Sequence, residues 1–120
     1  MSYDNNNIFA KILREEIPCK KVYENNYALA FHDINPQAKI HILVIPKGKY
    51  ISFADFSKNA ANDEIDGFFR AVGKVAEDHD LVGKGYRILA NHGINAGQEV
   101  PHFHIHIFGK QPLGPMISKT

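Results

Sequence analysis

The chain has 120 residues, 44% hydrophobic and 22% charged, an ordinary globular composition that excludes disordered and fibrous classes. Lys and Arg total 14 against 13 Asp and Glu, and the formal charge of +1 argues against a nucleic-acid scaffold or a membrane-surface protein. A single domain spanning residues 1–120 is expected from that length. Apolar runs such as Ile42 to Ile45 fall far short of the ~20 residues that span a bilayer. The opening Met1–Asn7 has neither a basic nor an apolar signal-peptide region. Cys19 is the only cysteine, so no disulfide forms within the chain and a reducing cytoplasm is the expected home.

In chain order, Asn6 or Asn7 is placed to cap a short helix from Ile8 to about Arg14, with Ile8, Phe9, Ile12 and Leu13 on one face and Pro18 forbidding a long continuation. Val22–Glu24 and Tyr27–His32 read as strands joined at Asn25-Asn26, a hairpin. Ile40–Ile45, apolar on both faces except for His41, reads as a central strand bounded by Pro36 and Pro46. From Asp63 to about Asp78, Ile65, Phe68, Phe69, Val72, Val75 and Ala76 keep helical spacing, and Asp63 and Glu64 suit the helix N-terminus. Gly67 and Gly73 weaken that helix by about 1 kcal/mol each relative to Ala and are expected to permit close backbone approach. Tyr86–Asn91 reads as a strand, Asn91–Gly97 as a loop and His102–Phe108 as the last strand. Strands joined by short turns with two helices interspersed predict an α+β fold with an antiparallel sheet.

Seven histidines are present, and His102, His104 and His106 occupy alternate positions. Random placement would yield roughly 0.02 such matches in this chain, so chance is a poor explanation. On a strand the three imidazoles share one face, pointing into a cleft or toward solvent, while Phe103, Ile105 and Ile107 anchor the other face in the core. Two chemistries suit such a face. Imidazoles at this spacing, with His41 from another strand, could ligate a metal. Alternatively one imidazole attacks phosphorus while the others orient it, since crowded imidazoles depress one another's pKa and keep a nitrogen unprotonated near pH 7. The polar loop containing Asn91, Gly93, Gly97 and Gln98 leads into the strand, and its N–H groups suit an anion better than a metal.

His102-Phe103-His104-Ile105-His106-Ile107-Phe108 resembles the signature of the histidine-triad (HIT) superfamily of nucleotidyl hydrolases and transferases. Nearly the whole chain is similar to its HINT branch: Ile8–Ile12 with Glu16-Ile17-Pro18, Ala30–Ala38, His41–Lys47, Gly85-Tyr86-Arg87 and Gly97–Val100 follow in the family's order. Pro112–Met116 looks like the tail of bacterial members. The resemblance implies a HIT fold, with about five antiparallel strands and two helices, paired as a homodimer. It implies a purine nucleoside phosphoramidase that releases AMP from adenylated amines and related aminoacyl-type adenylates, with no cofactor or metal.

By that resemblance His104 would attack the α-phosphorus and form a nucleotidyl-histidine. His102 and His106 would position the phosphate and move the leaving group's proton, and His41 would orient the triad. Asp33 would hold the ribose hydroxyls. Ile8, Phe9, Phe31, Ile34 and Leu43 would line the base and ribose pocket, with Asn91, Gln98, Glu99 and Val100 around the phosphate. Animal members carry a hydroxyl residue where this chain has Glu99. Either Glu99 turns away and contributes its backbone N–H, or it acts on the leaving amine. A nucleotide-binding module with incidental hydrolysis and a histidine metal site are the alternatives, and no nucleic acid or membrane is expected as a partner.

Overall fold

In a computed structural model, which describes residues 2–118, the chain runs through helix Ile8–Leu13 (α1), then strands Lys21–Glu24 (β1), Ala28–His32 (β2) and Ile40–Pro46 (β3). Helices Phe53–Asn59 (α2) and Asn62–Asp78 (α3) follow, then strand Tyr86–Leu89 (β4), a 3-10 turn Ile94–Ala96, and strand Ile105–Gly109 (β5). The domain limits expected at residues 1 and 120 lie outside the described residues. One antiparallel sheet holds the strands in the order β1-β2-β3-β5-β4, so the first three are a meander and β5 inserts between β3 and β4. The α+β antiparallel architecture is as expected, with three α-helices where the sequence suggested two.

The unexpected helix is α2. Ser52 caps it by accepting the Asp55 N–H at 3.3 Å, and Asp55 reaches back to accept the Ile51 N–H at 2.8 Å. Ser52-Phe53-Ala54-Asp55 is therefore a capping signal legible in the sequence. In α1 the cap is Asn7, whose side chain accepts the Ala10 N–H at 2.9 Å. The two glycines of α3 differ. Gly67 lies against the Tyr27 ring, where a Cβ would clash, whereas Gly73 has open space where close approach was expected.

Strand alternation divides the core in two. Ala28, Ala30, Ile42, Val44, Ile105 and Ile107 face α3 and α2, where Phe56, Phe68 and Phe103 pack with ring centroids 4.9–5.2 Å apart. Leu29, Phe31, Leu43 and Ile45 face the other way, covered by Phe9 with Ile12 and Leu13 of α1. Among the described residues no helix is long and apolar enough to cross a membrane.

The last strand is shorter than expected, starting at Ile105 and not at His102. The β3–β5 ladder ends at the pair Val44–Ile105, and two steps further Phe103 would oppose Pro46, which has no N–H to donate. The Phe103 N–H turns instead to the Tyr50 carbonyl at 2.7 Å. Tyr86–Asn91 likewise ends early, at Leu89, leaving Asn91 in the loop.

Candidate active site

The histidines gather on the sheet face covered by α1. His106 pairs with Leu43, and His41 with Phe108, so His41 and His106 are diagonal neighbours across β3 and β5. Their rings meet with His41 Nε2 2.9 Å from His106 Nδ1. His41 is buried, and its Nδ1 accepts the Gln37 N–H at 3.1 Å. That acceptor role places the His41 proton on Nε2, from which it is donated to His106 Nδ1. Asp33 Oδ2 lies 3.4 Å from the same Nε2, while Asp33 Oδ1 accepts the Asn35 N–H at 2.8 Å. Asp33 is thus both a turn residue and a wall of the histidine site.

His104 is held differently. Its Nδ1 lies 2.7 Å from the His102 carbonyl, which can only accept, so Nδ1 carries the hydrogen and Nε2 keeps a free lone pair. Phe9 meets the His104 ring edge to face at 4.9 Å, and His106 lies 5.0 Å away. His102 departs from the expectation of a shared open face. It is wholly buried, because it precedes the strand and turns its Nε2 to the Pro46 carbonyl at 2.8 Å. Pro46 thus meets this segment through its carbonyl, which accepts from the His102 ring, since it has no backbone N–H to offer.

Electrostatics follow from this burial. His102 is pushed down to about 4 by desolvation, partly opposed by its bond to Pro46. His106 is also held at about 4, chiefly by burial and then by His104 and His41. Burial lowers His104 as well, with the His102 carbonyl and the Asp33 and Glu99 carboxylates opposing, and lowers His41 against the pull of Asp33. Neutral imidazoles are therefore favoured throughout at neutral pH.

A cleft of about 220 Å³ opens over His104 and His106, walled by Phe9, Asp33, Leu43, Asn91, Gln98, Glu99 and Val100. The structure thus brings together most of the residues singled out in the sequence. Phe31 lies beneath the cleft, packed against Phe9 at 5.7 Å. Ile8 and Ile34 are exposed and outside the cleft lining; Ile34 lines a neighbouring hollow with Lys20, His32 and Lys39. Gln98 spends its side chain on the loop: its amide donates to the Ile51 and Val100 carbonyls at 2.7 and 3.0 Å and accepts the Gly93 N–H at 3.1 Å. Gly93 and Gly97, at φ 74° and 72°, give that loop its left-handed corners.

Sequence reasoning missed Asn35 and Gln37 in the lining and Tyr3 against His102. Only the Asp33-x-Asn35 turn had a local signal. A larger hollow of about 560 Å³ beside α1 and Cys19 contains no histidine. His32 and His79 meet ring to ring at 6.1 Å where β2 passes the end of α3.

The family profile for the HIT domain matches residues 14–113. An uncharacterized HIT-like protein of Azospirillum brasilense is 63% identical over 118 residues, covering 98% of this chain and 97% of that protein. The purine nucleoside phosphoramidase of Escherichia coli is 41% identical over 112 residues, 92% of each chain. Among solved structures, a histidine triad protein from Clostridium difficile superposes with a TM-score of 0.83 at 37% identity, covering 97% of this chain and all of that one. A HIT family hydrolase from Legionella pneumophila gives 0.81 at 35% identity, covering 91% and 96%. With a matching domain profile, relatives aligned over nearly their whole length and two of the three alternating histidines, His104 and His106, over one cleft, the chain belongs to the HIT family.

Proposed function

We propose that this protein hydrolyses the P–N bond of adenosine or other purine 5'-phosphoramidates, and of related aminoacyl-type adenylates, through a nucleotidyl-histidine intermediate. The observation that carries the reading is His104: its Nδ1–H is committed to the His102 carbonyl, so the Nε2 lone pair is free beside the cleft. The phosphoramidase relative supports the substrate class. His104 Nε2 attacks the α-phosphorus, and the P–N electron pair leaves with the amine. The departing nitrogen takes a proton from the imidazolium form of His106, which burial disfavours in the free protein. A bound phosphate anion raises its proton affinity, and His106 takes that proton from solvent beforehand. Water then attacks phosphorus, returns a proton to His106 and frees His104 with AMP. His102 acts on this scheme from behind the cleft, and His41 by holding the His106 ring.

Asp33 takes the ribose hydroxyls, Phe9, Phe31 and Leu43 form the nucleoside floor, and Ile8 and Ile34 close on the base from its exposed rim. Asn91, Gln98, Glu99 and Val100 surround the phosphate and the amine. A homodimer fits the molecule: β4 ends the sheet with one side free, and it carries exposed Tyr86 and Ile88, while Phe69 of α3 is also exposed. Its setting is a reducing cytoplasm, where the single Cys19 needs no partner.

The test is release of AMP from a panel of AMP-linked amines, with the adduct trapped and mapped by mass spectrometry. An adduct on any residue other than His104 overturns the mechanism. One observation favours a second reading: ligand atoms of Asp33, His41 and His106 lie within 4.8 Å of one another, a grouping that could hold a cation. Turnover abolished by chelator and restored by stoichiometric zinc would promote that reading. Nucleotide binding with no release of AMP from any amine would promote a binding module.

A further inference from the structure

The His102 side chain is the most completely buried of the triad, and both of its nitrogens are occupied. Nε2 faces the Pro46 carbonyl at 2.8 Å, an acceptor that requires the hydrogen on Nε2. A neutral imidazole then has only a lone pair on Nδ1. That lone pair points at the hydroxyl of Tyr3, 2.5 Å away, which must donate to it. The Tyr3 ring is half-buried and meets His102 edge to face at 5.6 Å. Burial also raises the Tyr3 pKa, which keeps its donor proton in place.

The position of His102 matters because residues 102–104 lie outside the strand ladder. Their backbone is held by the Phe103 N–H on Tyr50 and by the two bonds to the His102 ring. The same residue's carbonyl accepts the Nδ1–H of His104 and so decides which His104 nitrogen is free. Without Tyr3 a wholly buried imidazole nitrogen would have no partner, a state that buried polar groups avoid. His102 would then shift toward another donor or take up the opposite tautomer, and the acceptor for His104 would move with it.

We propose that Tyr3 is a positioning residue for the nucleophile: its hydroxyl pins His102 and thereby holds His104 in the tautomer with Nε2 free. The N-terminal arm is thus part of the reaction machinery without touching the substrate. The proposal rests on the functional reading above for its kinetic consequence, though not for its tautomer chemistry.

Tyr3→Phe removes one oxygen and keeps the ring, so the arm can still pack. The expected result is a fall in kcat of about tenfold or more, as for small misplacements near a reacting atom, with KM for an AMP-linked amine changed less than twofold. In nitrogen-15 spectra of the histidine rings, the wild type shows His104 as a single Nδ1–H tautomer, and Tyr3→Phe shows a mixture. A melting temperature measured on the same sample establishes that the variant is folded, and a second variant, Tyr3→Leu, gives the same spectral change if the hydroxyl is what matters. Unchanged kcat, or His104 remaining a single tautomer in both variants, overturns the proposal. If the wild type releases no AMP from any amine, the functional reading fails while the spectra still decide the role of Tyr3.

Discussion

The two faces of this sheet are built from the same strands and do opposite work. On the helix side, alternate residues of β3 and β5 are Ile42, Val44, Ile105 and Ile107, closed over by Phe56, Phe68 and Phe103. On the α1 side, the intervening residues include His41, Leu43 and His106, with His104 just ahead of β5, and the closing residue is Phe9. The first face is apolar throughout and stabilises the fold by burial. The second buries imidazoles, which costs stability unless each polar nitrogen finds a partner. Here the partners are one another, nearby carbonyls, the Gln37 N–H and the Tyr3 hydroxyl, and among the described residues no buried side-chain nitrogen or oxygen lacks one. A strand can therefore be half scaffold and half chemistry, because its side chains alternate.

The sharpest way to separate the faces is to remove one residue from each. His104→Ala should lower turnover by three orders of magnitude or more while still binding AMP, since the covalent route is lost but the nucleoside pocket stays. Single-turnover kinetics and calorimetric AMP binding check this, and near-normal turnover would sink the assignment. Phe68→Ala should do the reverse, destabilising by about 3–5 kcal/mol through a cavity in the fully buried cluster. Denaturant unfolding measures that loss, and activity per folded molecule should be retained.

Acid should weaken the protein through the histidine face. His102 has its pKa lowered from 6.5 to about 4 in the fold, so the unfolded chain binds its proton first as pH falls. Its contribution is present above pH 6.5 and drains away between about 6.5 and 4. For this wholly buried group that amounts to about 3 kcal/mol. His106 adds in the same direction. Stability that stays level from pH 7 to 4.5 would contradict the buried neutral state. A smaller effect is expected at Asp33: Asp33→Ala should cost about 1.5–3 kcal/mol of nucleotide affinity through lost charge-assisted bonds to the ribose. Unchanged affinity would move the ribose elsewhere. Smallest of all, chelator should leave turnover unchanged, since the proposed chemistry uses imidazoles alone.

Much of this was readable from residue order where the signal is local. The helical spacing from Ile65 to Ala76 gave α3 to within a residue or so, and the alternation Phe103, Ile105, Ile107 correctly marked a core-facing set. Asp33 and Leu43 were placed in the cleft lining with His104 and His106. The α2 helix is marked in the sequence only by its Ser52–Asp55 cap, because its seven residues carry little apolar periodicity. The start of β5 was not legible from its own residues, since it depends on Pro46, 59 positions before Ile105, lacking a donor.

The sequence by itself determined the α+β class, the family signature and which side chains alternate to one side of the last strand, because those follow from spacing along the chain. It could not determine which nitrogen of each histidine is free. That choice depends on the Pro46 carbonyl, the Gln37 N–H, the His102 carbonyl and the Tyr3 hydroxyl arriving from distant or out-of-ladder positions. An imidazole's tautomer is set by the partners around it, and only the folded chain brings those partners within 3.1 Å.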